Sequence, residues 1–344
     1  MTQASLPDRF EDVAHLEEVM TTPSSALVDD LASVDGDLLV LGVAGKMGPT
    51  LARLARRAAP QKRVIGVARF SDPGVRASLE DHGVECLAAD LLDCAAVARL
   101  PEAANVVFMA GRKFGSVGNE SLTWAMNVLV PAHVAERYPD ARLVAFSTAC
   151  VYPYVPVAGG GADEATPTTP PPGEYAASCV GRERVLEHLS GAHGTPGRLL
   201  RLSYAIDMRY GVLHDLGAKI LSGHPIDLTM GHVNVIWQGD ANEVALRALA
   251  HCTTPTSALN VSGPGAQSVR SLAEQLGAHL GRAPVFAGEE ADDAWVIDCS
   301  EMARLFGPPR VSIERQIAWQ GDWLRRGGPS LCRDTHFEER DGRY

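Results

Sequence analysis

Asp37-Leu38-Leu39-Val40-Leu41-Gly42-Val43-Ala44-Gly45-Lys46-Met47-Gly48 is an apolar run that breaks into three glycines spaced three apart. The run has no polar alternation, so it reads as a strand buried on both faces. Helix formers follow, from Gly48 to Ala59. A strand, a glycine turn and a helix in that order make a recognisable phosphate cradle. Gly42 serves the tight turn, Gly45 the close approach of backbone to a pyrophosphate, and Gly48 the packing of helix on strand. The helix N-terminus then faces the negative charge of a dinucleotide. Lys46 and Met47 belong to the same loop and count as cofactor contacts.

Outward from this stretch, short apolar strands alternate with helical segments as far as the strand R-L-V-A-F-S-T at 142–148. That alternation predicts an α/β protein, a Rossmann-like doubly wound parallel sheet covered on both faces, with a smaller C-terminal α+β substrate domain. Residues 1–36 form an amphipathic helical extension, read as an arm packed on the main domain. The sheet domain spans 37–203, with returning strands within about 233–262. Residues 204–232 and 264–330 form the substrate domain, and 331–344 a tail. The Pro/Gly-rich stretch 154–174 cannot be helix, and a loop of that length is usually functional.

The chain has 344 residues, a net charge of −11 and 46% hydrophobic residues. The acidic balance argues against a nucleic-acid or membrane partner. No apolar run is long enough to span a bilayer, and the polar N-terminus carries no secretory signal. Seven scattered cysteines without a C-x-x-C pair point to reduced thiols, no metal framework and a cytoplasmic setting.

The end of the second strand chooses the nucleotide. An acid there binds a ribose 2′-hydroxyl, whereas an arginine suits a 2′-phosphate. The chain offers Ala68-Arg69-Phe70-Ser71, with Asp72 just beyond, so NADP is favoured over NAD through Arg69.

The G-x-x-G-x-x-G spacing resembles the extended short-chain dehydrogenase/reductase family, the nucleotide-sugar epimerases and dehydratases, from Asp37 to about Gly327. The resemblance implies that Asp90 and Leu91 contact adenine. In M-A-G-R-K-F-G it implies that Ala110, Gly111 and Lys113 reach the cofactor, and Asn127 falls where the family has an asparagine, counted here with the substrate contacts. Thr148 and Tyr175 map to the hydroxyl pair that binds the reacting oxygen and moves its proton. Family members place a lysine one turn after the tyrosine to lower its pKa and bond the nicotinamide ribose; here that position is Cys179. Lys113, or alternatively Arg182 on nearly the same helical face, is the substitute charge. S-T-A-C-V-Y-P is similar to the cysteine segment of epimerases that invert a carbon beside a ketone, which makes Cys150 a candidate acid/base. Its partner would come from Arg209, His214 or Lys219. Tyr204 stands where the family carries an asparagine that touches a sugar diphosphate.

The resemblance therefore implies reversible hydride transfer at a carbinol carbon of a sugar, sugar acid or nucleotide sugar, in a homodimer built on the helices around 122–138 and 175–189. The rival reading is a nucleotide-binding sensor or assembly subunit that kept the pocket without the chemistry.

Overall fold

In the computed structural model, which describes residues 6–342, every residue of β1 (Leu38–Leu41) is buried. Six further strands join it: β2 (Val64–Ala68), β3 (Glu85–Ala88), β4 (Asn105–Phe108), β5 (Arg142–Thr148), β6 (Gly197–Leu202) and β7 (Ser257–Val261). All pairings are parallel, in the order β3-β2-β1-β4-β5-β6-β7. The chain winds from the centre to one edge, returns past β1 and winds to the other. The order reverses between β1 and β4, which opens a crevice at the carboxyl ends of the strands. Apolar clusters line both faces of the sheet, as a parallel sheet requires.

A second core gathers Trp237, Trp319 and Trp323 with Leu213, Leu216, Leu272 and Leu276. Helices Val212–Ser222, Val269–Leu280 and Ile313–Arg325 build it. The N-terminal extension differs from expectation. Leu27 and Leu31 pack on the sheet core, but Phe10, Leu16 and Met20 insert into the second one. Phe10 stacks on Trp237 with ring centroids 5.9 Å apart. The extension joins the two cores because each of its helices buries its stripe against a different one.

The returning strands also need correction. Ser257–Val261 enters the main sheet as β7, whereas Val235–Trp237 pairs in parallel with Tyr204–Ile206. Beyond Ser203 the chain leaves β7 behind, and its backbone groups must find a new partner.

Two buried polar devices hold the site. The helix 120–137 contains a π turn at Ala125–Leu129, just before Pro131. Proline has no N–H for the Asn127 carbonyl, so that oxygen instead accepts from Arg182 Nε at 3.2 Å. Arg201 on β6 pairs with Glu183 of helix Glu174–His193 at 2.8 Å, with both side chains under 5% exposed. Ser147 donates to the same carboxylate at 2.5 Å, and Arg201 donates to the Tyr152 hydroxyl at 2.6 Å. This network ties β5, β6 and the tyrosine-bearing helix together.

Candidate active site

Three contiguous cavities run along the carboxyl ends of the strands. The first, about 250 Å³, lies between Arg69, Phe70 and Ser71 after β2 and Asp90 and Leu91 after β3, with Ala110, Gly111 and the loop glycines Gly42 and Gly45 behind it. The second, about 270 Å³, is lined by Gly42, Gly45, Lys46, Met47 and Gly48 together with Phe146, Tyr204, Tyr210, Arg333 and Thr335. The third, about 150 Å³, is lined by Lys113, Thr148, Cys150, Tyr175, Tyr204 and Trp295.

The glycine loop fits a pyrophosphate. Gly42 has φ +88°, and a Cβ there would sit 2.7 Å from the Ala110 nitrogen. A Cβ on Gly48 would meet the Val43 carbonyl oxygen at 2.2 Å, so the helix can start this close to β1 only on glycine. Among the described residues, no carboxylate from the β2 loop lines the first cavity. Asp72 instead caps the next helix, accepting from the Gly74 amide at 2.8 Å.

In the third cavity Tyr175 and Thr148 share a side-chain hydrogen bond. Burial holds the phenol well above the ordinary tyrosine range, and the neighbouring Cys179 and Cys150 add to this, against the Thr148 bond and the Arg182 guanidinium. Cys179 is buried, its thiol pushed up to about 11 by that burial, so it stays neutral. It bonds to Tyr175 and is not among the residues that line the three cavities. Two cations stand near the phenol. Lys113 Nζ lies 6.0 Å from the Tyr175 ring centroid and donates to the Thr335 carbonyl at 3.1 Å. Arg182 sits beneath, donating to the Phe146 carbonyl and to Asn127 Oδ1, each at 2.7 Å.

Three of the expected substrate contacts have other tasks. Asn127 is fully buried; its Oδ1 accepts from the Arg112 amide and its Nδ2 donates to the Arg112 carbonyl and Ser178. It staples the β4 loop to the tyrosine helix. Arg209 is consumed by Asp207 at 2.6 Å and Glu17 at 2.9 Å. The His214 ring contacts the Met208 carbonyl and Ser330, and burial lowers its pKa. Lys219 pairs with Glu338. None of these four lines a cavity, because tertiary partners satisfy them first. Tyr204 does line two of the cavities. Sequence reasoning missed Tyr210, Trp295, Arg333 and Thr335, which reach the site from distant segments without a local pattern.

Fold and site together define a dinucleotide-dependent protein with a tyrosine–hydroxyl pair at the end of its cofactor groove. The NAD dependent epimerase/dehydratase family model matches residues 38–252, and the chain belongs to that family, whose cofactor class is NAD(P). Among solved structures it resembles the NAD-bound dTDP-glucose 4,6-dehydratase of Streptomyces venezuelae, at 22% identity and TM-score 0.70 over 84% of this chain and 97% of that one. The UDP-glucose 4-epimerase of Thermus thermophilus, also with NAD, aligns at 24% identity and TM-score 0.68 over 84% and 99%. A UDP-glucuronic acid 4-epimerase variant from Bacillus cereus, in complex with NAD and a fluorinated UDP-glucuronic acid, aligns at 18% identity and TM-score 0.70 over the same shares. These share its fold. No curated protein sequence matches the chain.

Proposed function

We propose that this protein is an NAD(P)-dependent oxidoreductase or epimerase acting on a sugar, sugar acid or nucleotide sugar at a carbinol carbon. The observation that carries the reading is the hydrogen-bonded Thr148–Tyr175 pair in a cavity continuous with the glycine-loop groove. A bound nicotinamide supplies reversible hydride transfer. Tyr175 moves the proton of the reacting oxygen at its phenol, and Thr148 orients that oxygen. Lys113 and Arg182 supply the positive field that Cys179 lacks. Because burial keeps the phenol protonated, it is set to donate, so carbonyl reduction is the easier direction at neutral pH.

Arg69 and Ser71 line the first cavity with Asp72 turned to its cap, which supports NADP. The Arg69→Ala variant is then expected to bind NADP at least about tenfold more weakly, with NAD affinity held within about twofold. Calorimetric titration of both nucleotides checks this, and an unchanged NADP affinity would reduce Arg69 to a surface residue.

Cys150 lines the same cavity as Tyr175, which supports it as the acid/base of an inversion. Its counterpart must then come from the cavity wall, where Lys113 and Tyr204 stand. With a panel of sugars, inversion by Cys150 at the carbon beside the transient carbonyl takes up solvent deuterium there, and Cys150→Ala abolishes the uptake. Oxidation or reduction without uptake leaves a plain dehydrogenase. The neutral Cys179 is the feature that favours a non-catalytic nucleotide-binding role; bound nucleotide with no hydride transfer across the panel would select it.

A homodimer is part of this proposal, supported by the exposed Leu122, Trp124 and Leu129 on the helix 120–137, which packs beside the tyrosine helix. A cytoplasmic setting is proposed from the scattered thiols. Among the described residues no helix is long and apolar enough to cross a membrane.

A further inference from the structure

The second and third cavities are cationic in an acidic protein. Lys46, Lys113 and Arg333 line them, and among the described residues no carboxylate does. The nearby acids are already engaged. Asp207 accepts from Arg209 through both oxygens, and Asp215 accepts from the amide and hydroxyl of Thr335 at 2.9 and 2.6 Å. Lys46 belongs to the glycine loop, yet its ammonium turns to the far wall. It donates to the Ala205 carbonyl at 3.0 Å and lies 4.2 Å over the Tyr210 ring, and it does not line the cavity between Arg69 and Asp90. Lys113 faces the same junction, 5.9 Å from the Tyr204 ring centroid. Burial lowers the pKa of both lysines, that of Lys46 to about 8, so an anion between them relieves a standing cost.

The junction is also roofed. Residues 329–342 cross it as a strap: the Leu331 amide donates to the Arg209 carbonyl, Thr335 bonds Asp215 and Lys113, and Arg340 pairs with Asp293 while accepting from the Tyr154 hydroxyl. Thr335 and Phe337 are its buried side chains. The cavity beside the phenol is about 150 Å³ and adjoins the second, about 270 Å³, whose glycine-loop side is the cofactor's, so the room left for a substrate falls at or below the low end of the roughly 300–1,000 Å³ that drug-sized ligands occupy. A monosaccharide suits it, and a nucleotide sugar is larger.

We propose that the substrate is a monosaccharide bearing an anionic group, a carboxylate or a phosphate, held at the junction of Lys46 and Lys113, with no nucleotide attached. This rests on the oxidoreductase reading above and narrows it to one substrate class. Tyr204 and Tyr210 complete the recess.

The test uses the full chain with NADP and four probe sets: hexuronic and aldonic acids, hexose phosphates, the neutral hexoses, and UDP-glucuronate. Turnover follows NADPH absorbance. The acids or the phosphates are expected to react, and which of the two does so identifies the anionic group. Lys46→Met should raise KM for that substrate by at least about tenfold with kcat within about twofold. Lys46→Arg should restore most of the affinity, and NADP binding by calorimetry should stay unchanged in both. If Lys46→Met weakens NADP and spares the sugar, the lysine serves the pyrophosphate and the proposal falls. Neutral hexoses or UDP-glucuronate turned over as well as the anionic sugars would overturn it too, leaving the oxidoreductase reading intact. No turnover of any sugar despite bound NADP would remove both.

Discussion

The Tyr175→Phe variant is expected to lose about a hundred- to ten-thousandfold in turnover while binding NAD(P) as the parent does. The ring stays, so the packing of the helix Glu174–His193 stays with it. What leaves is one oxygen, the one hydrogen-bonded to the Thr148 side chain. The pH profile sharpens the test. Because the phenol is held well above its ordinary pKa, sugar oxidation needs a deprotonation that neutral solution does not favour. The parent's oxidation rate should therefore climb with pH beyond neutrality, and the variant's residual rate should not follow. A variant that keeps parental turnover, or a parent with no alkaline climb, would remove Tyr175 from the chemistry.

The largest stability effect is expected at Arg201. Replacing it in Arg201→Leu leaves Glu183 as an uncompensated carboxylate in a site under 5% exposed, at a cost of about 3–5 kcal/mol. The Ser147 hydroxyl still donates to it, but a single neutral partner does not replace a charge. Urea unfolding should show the loss as a lower midpoint with an unchanged slope. The double variant Arg201→Leu with Glu183→Leu should recover much of it, since apolar pairs of similar volume are often neutral replacements for buried ions. An Arg201→Leu protein as stable as the parent would mean the pair is hydrated in solution.

What could be read from the chain follows the range of the interaction. Leu38–Leu41 and the three glycines act through neighbours within a dozen residues, so their geometry was written locally. Thr148 and Tyr175 could be placed because each stands at the end or start of a strong element. Arg209 and His214 stand out as candidate ligand-binding residues by side-chain type alone. Each has a partner close in sequence, Asp207 and the Met208 carbonyl, and a second one, Glu17 and Ser330, more than a hundred residues away without a local signature. The same holds for Asn127, whose role depends on a proline four positions on and an arginine on another helix. Arg333 and Thr335 were invisible for a like reason: a tail without periodicity gives no hint that it folds back over the groove. The direction of the Lys46 ammonium, too, is set by Ala205 and Tyr210, far along the chain.

Exchanging a lysine for Cys179 while anchoring Arg182 on two carbonyl oxygens and an amide has a further result. A lysine in such a dry place can shed its proton within the working range of an enzyme, and its influence would then fade in alkali. A guanidinium cannot be discharged in water. The electrostatic background behind the phenol is therefore a constant, like a fixed bias on an electrode. Any titration seen there belongs to the groups in front of it.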